Sequence, residues 1–340
     1  MKWPYYCYIY QIFNNMDFVS ATQFHDNQSR TLRKTRSKEP IILTLLMVAL
    51  AMTGCGARAD RLVNYDSLQE SLTEFVADKD ANIGVAVIIN GKDTVAVNGY
   101  KYFPMLSVYK FPIALALGEH YRINNLSLSE QIAVLPEDLH RDTYSPMTDK
   151  LIASGAHIRE TLKMPTVELL KYMLQQSDNV ASDIILKTTG GAEQVEKYLQ
   201  QHGITGVNVK SSENEMHIDN NLCYANSSTP TGIASLMDKF DREANDSIST
   251  KIKRLMETCG TGTARLPKPL HDAVIGHKTG TGFVLPDGRL MAVNDAGYVH
   301  LSNGQCYSIA VFIENSGYDM SKTEELIAEI SRIVYTSLNK

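Results

Sequence analysis

Ser107-Val108-Tyr109-Lys110 sets a hydroxyl and an amine three residues apart, which on a helix is one turn and one face. So placed, the amine can hold or accept the hydroxyl proton, the requirement for an activated serine nucleophile. Alone the spacing carries little weight, because Ser337 and Lys340 repeat it at the C-terminus, where a helix frays. Two tripeptides change that weight: Ser177-Asp178-Asn179 and Lys278-Thr279-Gly280 follow in the same chain order. Each motif also has a matching local setting. Ser107 opens a predicted helix after a hairpin, Ser177 ends a predicted helix, and Lys278 lies in a predicted strand.

With these three motifs in this order, the chain resembles a class A serine β-lactamase over nearly its whole length, from about Asp66 to Leu338. The resemblance implies hydrolysis of the β-lactam amide bond through a serine acyl-enzyme, and hence β-lactam resistance. Ser107 is then the nucleophile, and its proton passes to Lys110 directly or to Glu213 through a water. Backbone N–H groups of Ser107 and Thr281 are the implied oxyanion donors. Ser177, near Lys278, is the implied proton route to the leaving nitrogen. Asn179 would hold the acylamido side chain, while Asp178 braces its loop. Lys278, Thr279 and Thr281 would receive the substrate carboxylate. Neither a cofactor nor a metal is expected.

Hydrolysis needs a base that turns water against the ester, and class A enzymes use a Glu, usually within E-x-x-L-N. Glu213-Asn214-Glu215-Met216-His217 lies 36 residues after Ser177 and matches as E-x-x-apolar-polar, which makes Glu213 the expected base, with Glu215 and a plain loop carboxylate as the alternatives. His217 stands where most of the family has an Asn that helps hold the deacylating water, although it also reads as an ordinary loop residue. Ser211 stands where many members have a loop-anchoring Arg. Both departures resemble a cephalosporinase-like branch. Thr261-Gly262-Thr263-Ala264-Arg265 resembles a T-G-x-x-R segment that sends a guanidinium behind the Lys-Thr-Gly strand. Arg265 is therefore a candidate carboxylate ligand, with a salt bridge at the surface or between helices as the other reading. A penicillin-binding DD-peptidase or a non-catalytic β-lactam sensor would share the three motifs, but would give a stoichiometric burst in place of turnover.

These residues need a scaffold. Leu68, Leu72, Phe75 and Val76 recur at helical spacing after Asn64 and Asp66. Ile83–Ile89, Asn90-Gly91 and Thr94–Val97 read as a hairpin, since Asn-Gly supplies the positive φ of a type I′ turn. Gly276–Gly282, Arg289–Val299 and Cys306–Glu314 read as three strands divided by Pro286-Asp287-Gly288 and Ser302-Asn303-Gly304. Ser321 with Glu324 reads as a capping box before an apolar-faced C-terminal helix. Between these flanks helical signals dominate, including starts at Thr166 and at Thr229-Pro230. The expected fold is therefore α/β and two-lobed. An antiparallel sheet with terminal helices is formed by 61–103 and 259–340, a helical lobe by 104–258, and a cleft lies where they meet.

The 340 residues carry 44% hydrophobic content and a net charge of −5, which supports a sizeable core and leaves no basic footprint for nucleic acid. A monomer acting on a small molecule is expected. Cys7, Cys55, Cys223, Cys259 and Cys306 have no C-x-x-C spacing, and the last three read as free thiols or as one disulfide plus a free thiol. Residues 1–55 read as a targeting segment. Arg30, Arg33, Lys34, Arg36 and Lys38 precede a twelve-residue apolar run, Ile41–Met52, too short to span a bilayer but suited to a signal peptide. Met52-Thr53-Gly54-Cys55 resembles a lipobox, making Cys55 a candidate lipidation site in an exported, periplasmic protein, with ordinary cleavage or an uncleaved anchor as the alternatives. Residues 1–29 fit no signal pattern, so the translation start is expected later, at Met16 or beyond.

Overall fold

The computed structural model describes residues 65–139 and 142–340. Cys7, Cys55, the apolar run and Asn64 lie outside the described residues. Helix α1 (Asp66–Ala77) leads into the hairpin β1 (Asn82–Ile89) and β2 (Asp93–Val97). Asn90 and Gly91 have φ of 51° and 67°, the paired positive values that the two-residue turn demands. A short strand β3 (Phe103–Pro104) and a 3-10 turn, Leu106–Tyr109, then run into α2 (Lys110–Ile123).

The middle of the chain holds β4 (Gln131–Val134), α3 (Pro146–Ala153), β5 (Leu162–Pro165), α4 (Thr166–Gln175), α5 (Asn179–Thr189) and α6 (Ala192–Gln201). After them come β6 (Val207–Asn208), α7 (Glu213–Ile218), β7 (Ser227–Ser228), α8 (Pro230–Glu243) and α9 (Ser247–Glu257). Strands β8 (Ala273–Thr281), β9 (Leu290–Leu301) and β10 (Cys306–Ser316) and helix α10 (Met320–Leu338) complete the order.

The main sheet is antiparallel in the order β2-β1-β10-β9-β8, so the first hairpin closes onto the last three strands. Both of its faces are covered. Val85, Val87 and Ile89 point into a core with Leu68 and Leu72 of α1 and Ile327, Ile330 and Val334 of α10. Ala86 and Ile88, alternating with them, join the second core, formed with α2, α4, α5 and α8. Helix α2 is apolar nearly all round, with Phe111, Ile113, Ala114 and Leu117 buried, as suits a helix enclosed by others.

Two details differ from the sequence reading. The start of α10 is capped not by Ser321 and Glu324 but by Asp319, whose carboxylate accepts from Lys322 N at 2.7 Å. Asp319 has the extended backbone of an N-cap and Ser321 is already helical, which frees Glu324 to pair elsewhere. The helix-rich segment also carries two short ladders, β3-β7-β6 and β4-β5, too brief to show a period-two pattern. No described helix is long and apolar enough to cross a membrane.

Candidate active site

Ser107 sits in the 3-10 turn, and Leu106 before it has φ of 49°, a left-handed conformation costly for a branched side chain. The turn is held from two sides. Asn294 of β9 donates to Pro104 O and Met105 O at 2.8 and 3.2 Å. Strand β8 presses so close that a Cβ on Gly280 would lie 2.4 Å from Met105 O, which is why the third residue of Lys278-Thr279-Gly280 has no side chain.

One turn on, Lys110 is fully buried and its ammonium reaches three acceptors: Ser177 O at 2.7 Å, Asn179 Oδ1 at 2.6 Å and Glu213 Oε1 at 3.0 Å. Two hydrogen bonds and one ion pair at this amine join the first two motifs and the Glu213 loop at one point. Ser177, at φ of 59°, is also strained, and its hydroxyl accepts from Lys278 Nζ at 2.8 Å. Burial first, and the charge of Lys110 second, push Lys278 down from 10.5 to about 7. Asp178 caps α5 through Ala181 N at 2.8 Å and ties Ser145 and Met147 to it, which braces the loop from outside the cleft.

Glu213 is the first residue of α7, where Ser212 is the N-cap and Glu215 closes a capping box by accepting from Ser212 N at 2.8 Å. Glu215 is thereby held at the surface while Glu213 faces the cleft. Asp183 of α5 accepts from Glu213 N and Asn214 N at 2.7 and 2.8 Å. Its burial, opposed by those two N–H groups, raises it to about 6. At the base of this loop Asn226 holds the backbone of residues 210 and 211. Its Oδ1 accepts from Lys210 N and Ser211 N, and its Nδ2 donates to Ser211 O at 2.8 Å. His217 Nε2 meets Asp142 Oδ2 at 3.1 Å across the mouth of the cleft.

Arg265 is 4% exposed and makes four bonds. Nε pairs with Glu324 Oε1 at 3.0 Å, Nη1 reaches Gly280 O and Asn294 O, and Nη2 donates to Thr281 Oγ1 at 2.7 Å. The guanidinium lies behind β8 and still borders the cleft. The salt bridge is therefore buried, between a loop and α10, and not at the surface or between helices as the second reading had it. Thr261 and Thr279 share a 2.6 Å hydroxyl contact beside it.

Ser107, Ser177, Asn179, Glu213, His217, Arg265, Thr279 and Thr281 thus surround one cleft of about 500 Å³, with Lys110 and Lys278 buried beneath it. Tyr144 and Phe283, exposed at 60% and 38%, form aromatic rims that no spacing in the sequence announced. Asp183 and Asn226 went unread as well, since each acts on backbone far away in sequence. Cys223, Cys259 and Cys306 are all unpaired.

A serine one turn before a buried lysine, a second serine bonded to another buried lysine and a carboxylate at a helix start, gathered at one cleft, are the groups of a serine acyl-transfer site on a mixed α/β frame. The profile of the β-lactamase enzyme family matches residues 67–338, and the chain belongs to that family as a class A serine β-lactamase, a β-lactam hydrolase. It is 34% identical to "Beta-lactamase VEB-1" of Pseudomonas aeruginosa over 88% of this chain and 98% of that one. A class A β-lactamase structure from Bacteroides cellulosilyticus is 34% identical with a TM-score of 0.76, covering 81% of this chain and 98% of its own. The TLA-3 extended-spectrum β-lactamase gives 32% identity and a TM-score of 0.77, with 82% of this chain and 100% of its own covered.

Proposed function

We propose that Ser107 Oγ attacks the lactam carbonyl and that Glu213 is the final acceptor of its proton. The observation that carries this is the place of the Glu213 carboxylate, which lines the same cleft as Ser107 and lies 3.0 Å from Lys110 Nζ. Lys110 acts as a base only after passing a proton to Glu213, 3.0 Å away, and a water between Glu213 and Ser107 achieves the same net transfer. The N–H groups of Ser107 and Thr281 stabilise the oxyanion. Ser177, bonded to Lys278, relays a proton to the departing nitrogen. Asn179 orients the acylamido group, and Thr279, Thr281 and Lys278 take the carboxylate. Arg265 holds the Thr281 hydroxyl as a hydrogen-bond acceptor, so that its proton is free to point at substrate. Glu213 then activates the water that releases the acyl group.

Cephalosporins are the preferred substrates in this reading, supported by His217 and Ser211 with the Asn226 brace. The protein is exported to the periplasm and anchored through a lipidated Cys55, and it works as a monomer, with 104–258 as the helical lobe and 61–103 with 259–340 as the other. A chromogenic cephalosporin tests the chemistry. Sustained turnover, with Glu213→Gln accumulating the acyl adduct by intact mass, is the expected result. Release from Glu213→Gln at the parent rate would remove Glu213 from the mechanism.

A further inference from the structure

Strand β9 carries a carboxylate that the hydrolytic cycle does not use. Asp295 is fully buried, and its two oxygens lie 2.9 and 3.1 Å from His277 Nδ1 on β8. An ionised carboxylate only accepts, so Nδ1 is the donor. The second oxygen also accepts from Leu266 N at 3.3 Å. The sheet makes room for this crossing. His277 pairs with Gly297 in the register, and a Cβ on Gly297 would lie 2.8 Å from His277 Cβ and 2.4 Å from Gly276 O. A side chain there would push the strands apart, whereas glycine lets the imidazole lean diagonally toward Asp295.

Both donors lead to the groups assigned to the substrate carboxylate. His277 directly precedes Lys278 and Thr279, and Thr279 lies opposite Asp295 in the register. Leu266 follows Arg265, whose Nη1 reaches Gly280 O and Asn294 O and whose Nη2 donates to Thr281 Oγ1. Leu266 is fixed on its other side as well, since its carbonyl accepts from Ser331 Oγ of α10 at 2.8 Å. Successive side chains of a strand face opposite ways, so His277 and Asp295 meet on one face of the sheet while Lys278 leaves the other to reach Ser177. Neither His277 nor Asp295 lines the cleft, so the brace works from behind it. Two apolar residues would fill the same space without the cost of burying a charge, but also without directional bonds.

We infer that Asp295, acting through His277 and Leu266, is a positioning residue that sets Lys278, Thr279 and Arg265 at the spacing a substrate carboxylate requires. This rests on the proposed assignment of the Lys278–Thr281 edge to that carboxylate. One oxygen cannot replace two at this place. In Asp295→Asn one end of the side chain still accepts, while its Nδ2 faces the N–H of His277 or of Leu266, and either the strand or the loop must move.

The test compares, on the full chain, a chromogenic cephalosporin with its methyl ester, in which the carboxylate charge is gone. The parent is expected to favour the acid. Asp295→Asn should lower the acid-to-ester ratio of kcat/KM about tenfold, through a raised KM for the acid with kcat near the parent value. A brace that served stability alone would depress both substrates equally, in proportion to the unfolded fraction. An unchanged ratio in folded Asp295→Asn therefore overturns the proposal, whatever the loss in melting temperature. His277→Leu, which removes the donor, should lower the ratio in the same way, and His277→Asn, whose Nδ2 stands near the place of Nδ1, should recover most of it. If Asp295→Asn does not fold, this pair decides, and a parental ratio in His277→Leu rejects the positioning role. A parent that takes acid and ester equally well would instead count against carboxylate recognition in the cleft, and the proposal would fall with it.

Discussion

Ser107, Lys110, Ser177 and Lys278 could be named from short motifs because acyl transfer restricts residue type and the motifs restrict spacing. Their contacts could not, since Lys110 finds Ser177, Asn179 and Glu213 only when three separate segments converge. Ser107→Ala should abolish the acyl adduct seen by intact mass, whereas Glu213→Gln should form it and release it slowly. Arg265 supports a double expectation. Arg265→Ala strips Glu324, Gly280 O and Asn294 O of their donor, so stability should fall by about 3 kcal/mol or more, as for a broken buried pair. KM should rise in the same preparation as the Thr281 hydroxyl loses its donor, while Glu324→Gln should lower the melting temperature with KM near that of the parent. A normal melting temperature in Arg265→Ala would deny it the structural part. Lys278 sets a pH limit. Its lowered value means that the cation is lost as pH rises through about 7, so kcat/KM for an anionic substrate should fall over that range. The limb in kcat should sit higher, because a bound carboxylate favours the charged amine. A flat kcat/KM from pH ~6 to ~9 would contradict this.

The loop that carries Glu213 has no regular pattern, and its order comes from two side chains on other elements. Asn226→Ala would leave Lys210 N, Ser211 N and Ser211 O without partners, at roughly 1–3 kcal/mol for each group that stays buried. Hydrogen exchange across 210–218 should quicken, and acyl release should slow more than acyl formation, because only release depends wholly on Glu213. Equal slowing of both steps would point to general unfolding. Asp183 braces the start of α7 at an electrostatic cost. Its raised value makes the folded protein bind a proton more tightly than the unfolded chain between pH about 4 and 6, so its contribution to stability grows as pH falls through that window. Asp183→Asn should remove this slope from a series of melting temperatures. Parallel pH curves for parent and variant would show that Asp183 titrates near its ordinary value in the fold.

Taken as one body, the protein is least relaxed where it is active. Leu106 and Ser177 hold left-handed backbone, and Lys278 sits with a depressed amine beside Lys110. An amine lowered by folding adds stability as pH rises from about 7 toward 10.5, since the unfolded chain binds the proton more tightly there. The two cores on either face of the sheet, built on β1 and β10 with α1, α10, α2 and α8, supply the surplus that this strain draws on. Cys55→Ser should move the protein from the membrane to the soluble periplasmic fraction with activity per molecule intact, because no acyl chain then remains. A parent protein found wholly soluble, with a mature start beyond residue 55, would reject the anchor.

Sequence alone was enough for the class of reaction, the strand–helix order and the residues of the three motifs, because these depend on local pattern: alternation in Ile83–Ile89, Asn90-Gly91 at a turn, fixed spacing in Ser107–Lys110. It went wrong or silent where partners are distant. The cap of α10 is Asp319, and Glu324, freed from that role, pairs 59 residues away with Arg265, a contact that no local pattern contains. Asp183 and Asn226 look like any polar residue until Glu213 and Ser211 arrive beside them. His277 of β8 pairs with Gly297 and reaches Asp295 of β9 diagonally, a contact that only the antiparallel register sets. Local propensity is written in neighbouring residues, whereas charge pairing and burial depend on which surfaces the collapsed chain brings within a few ångströms.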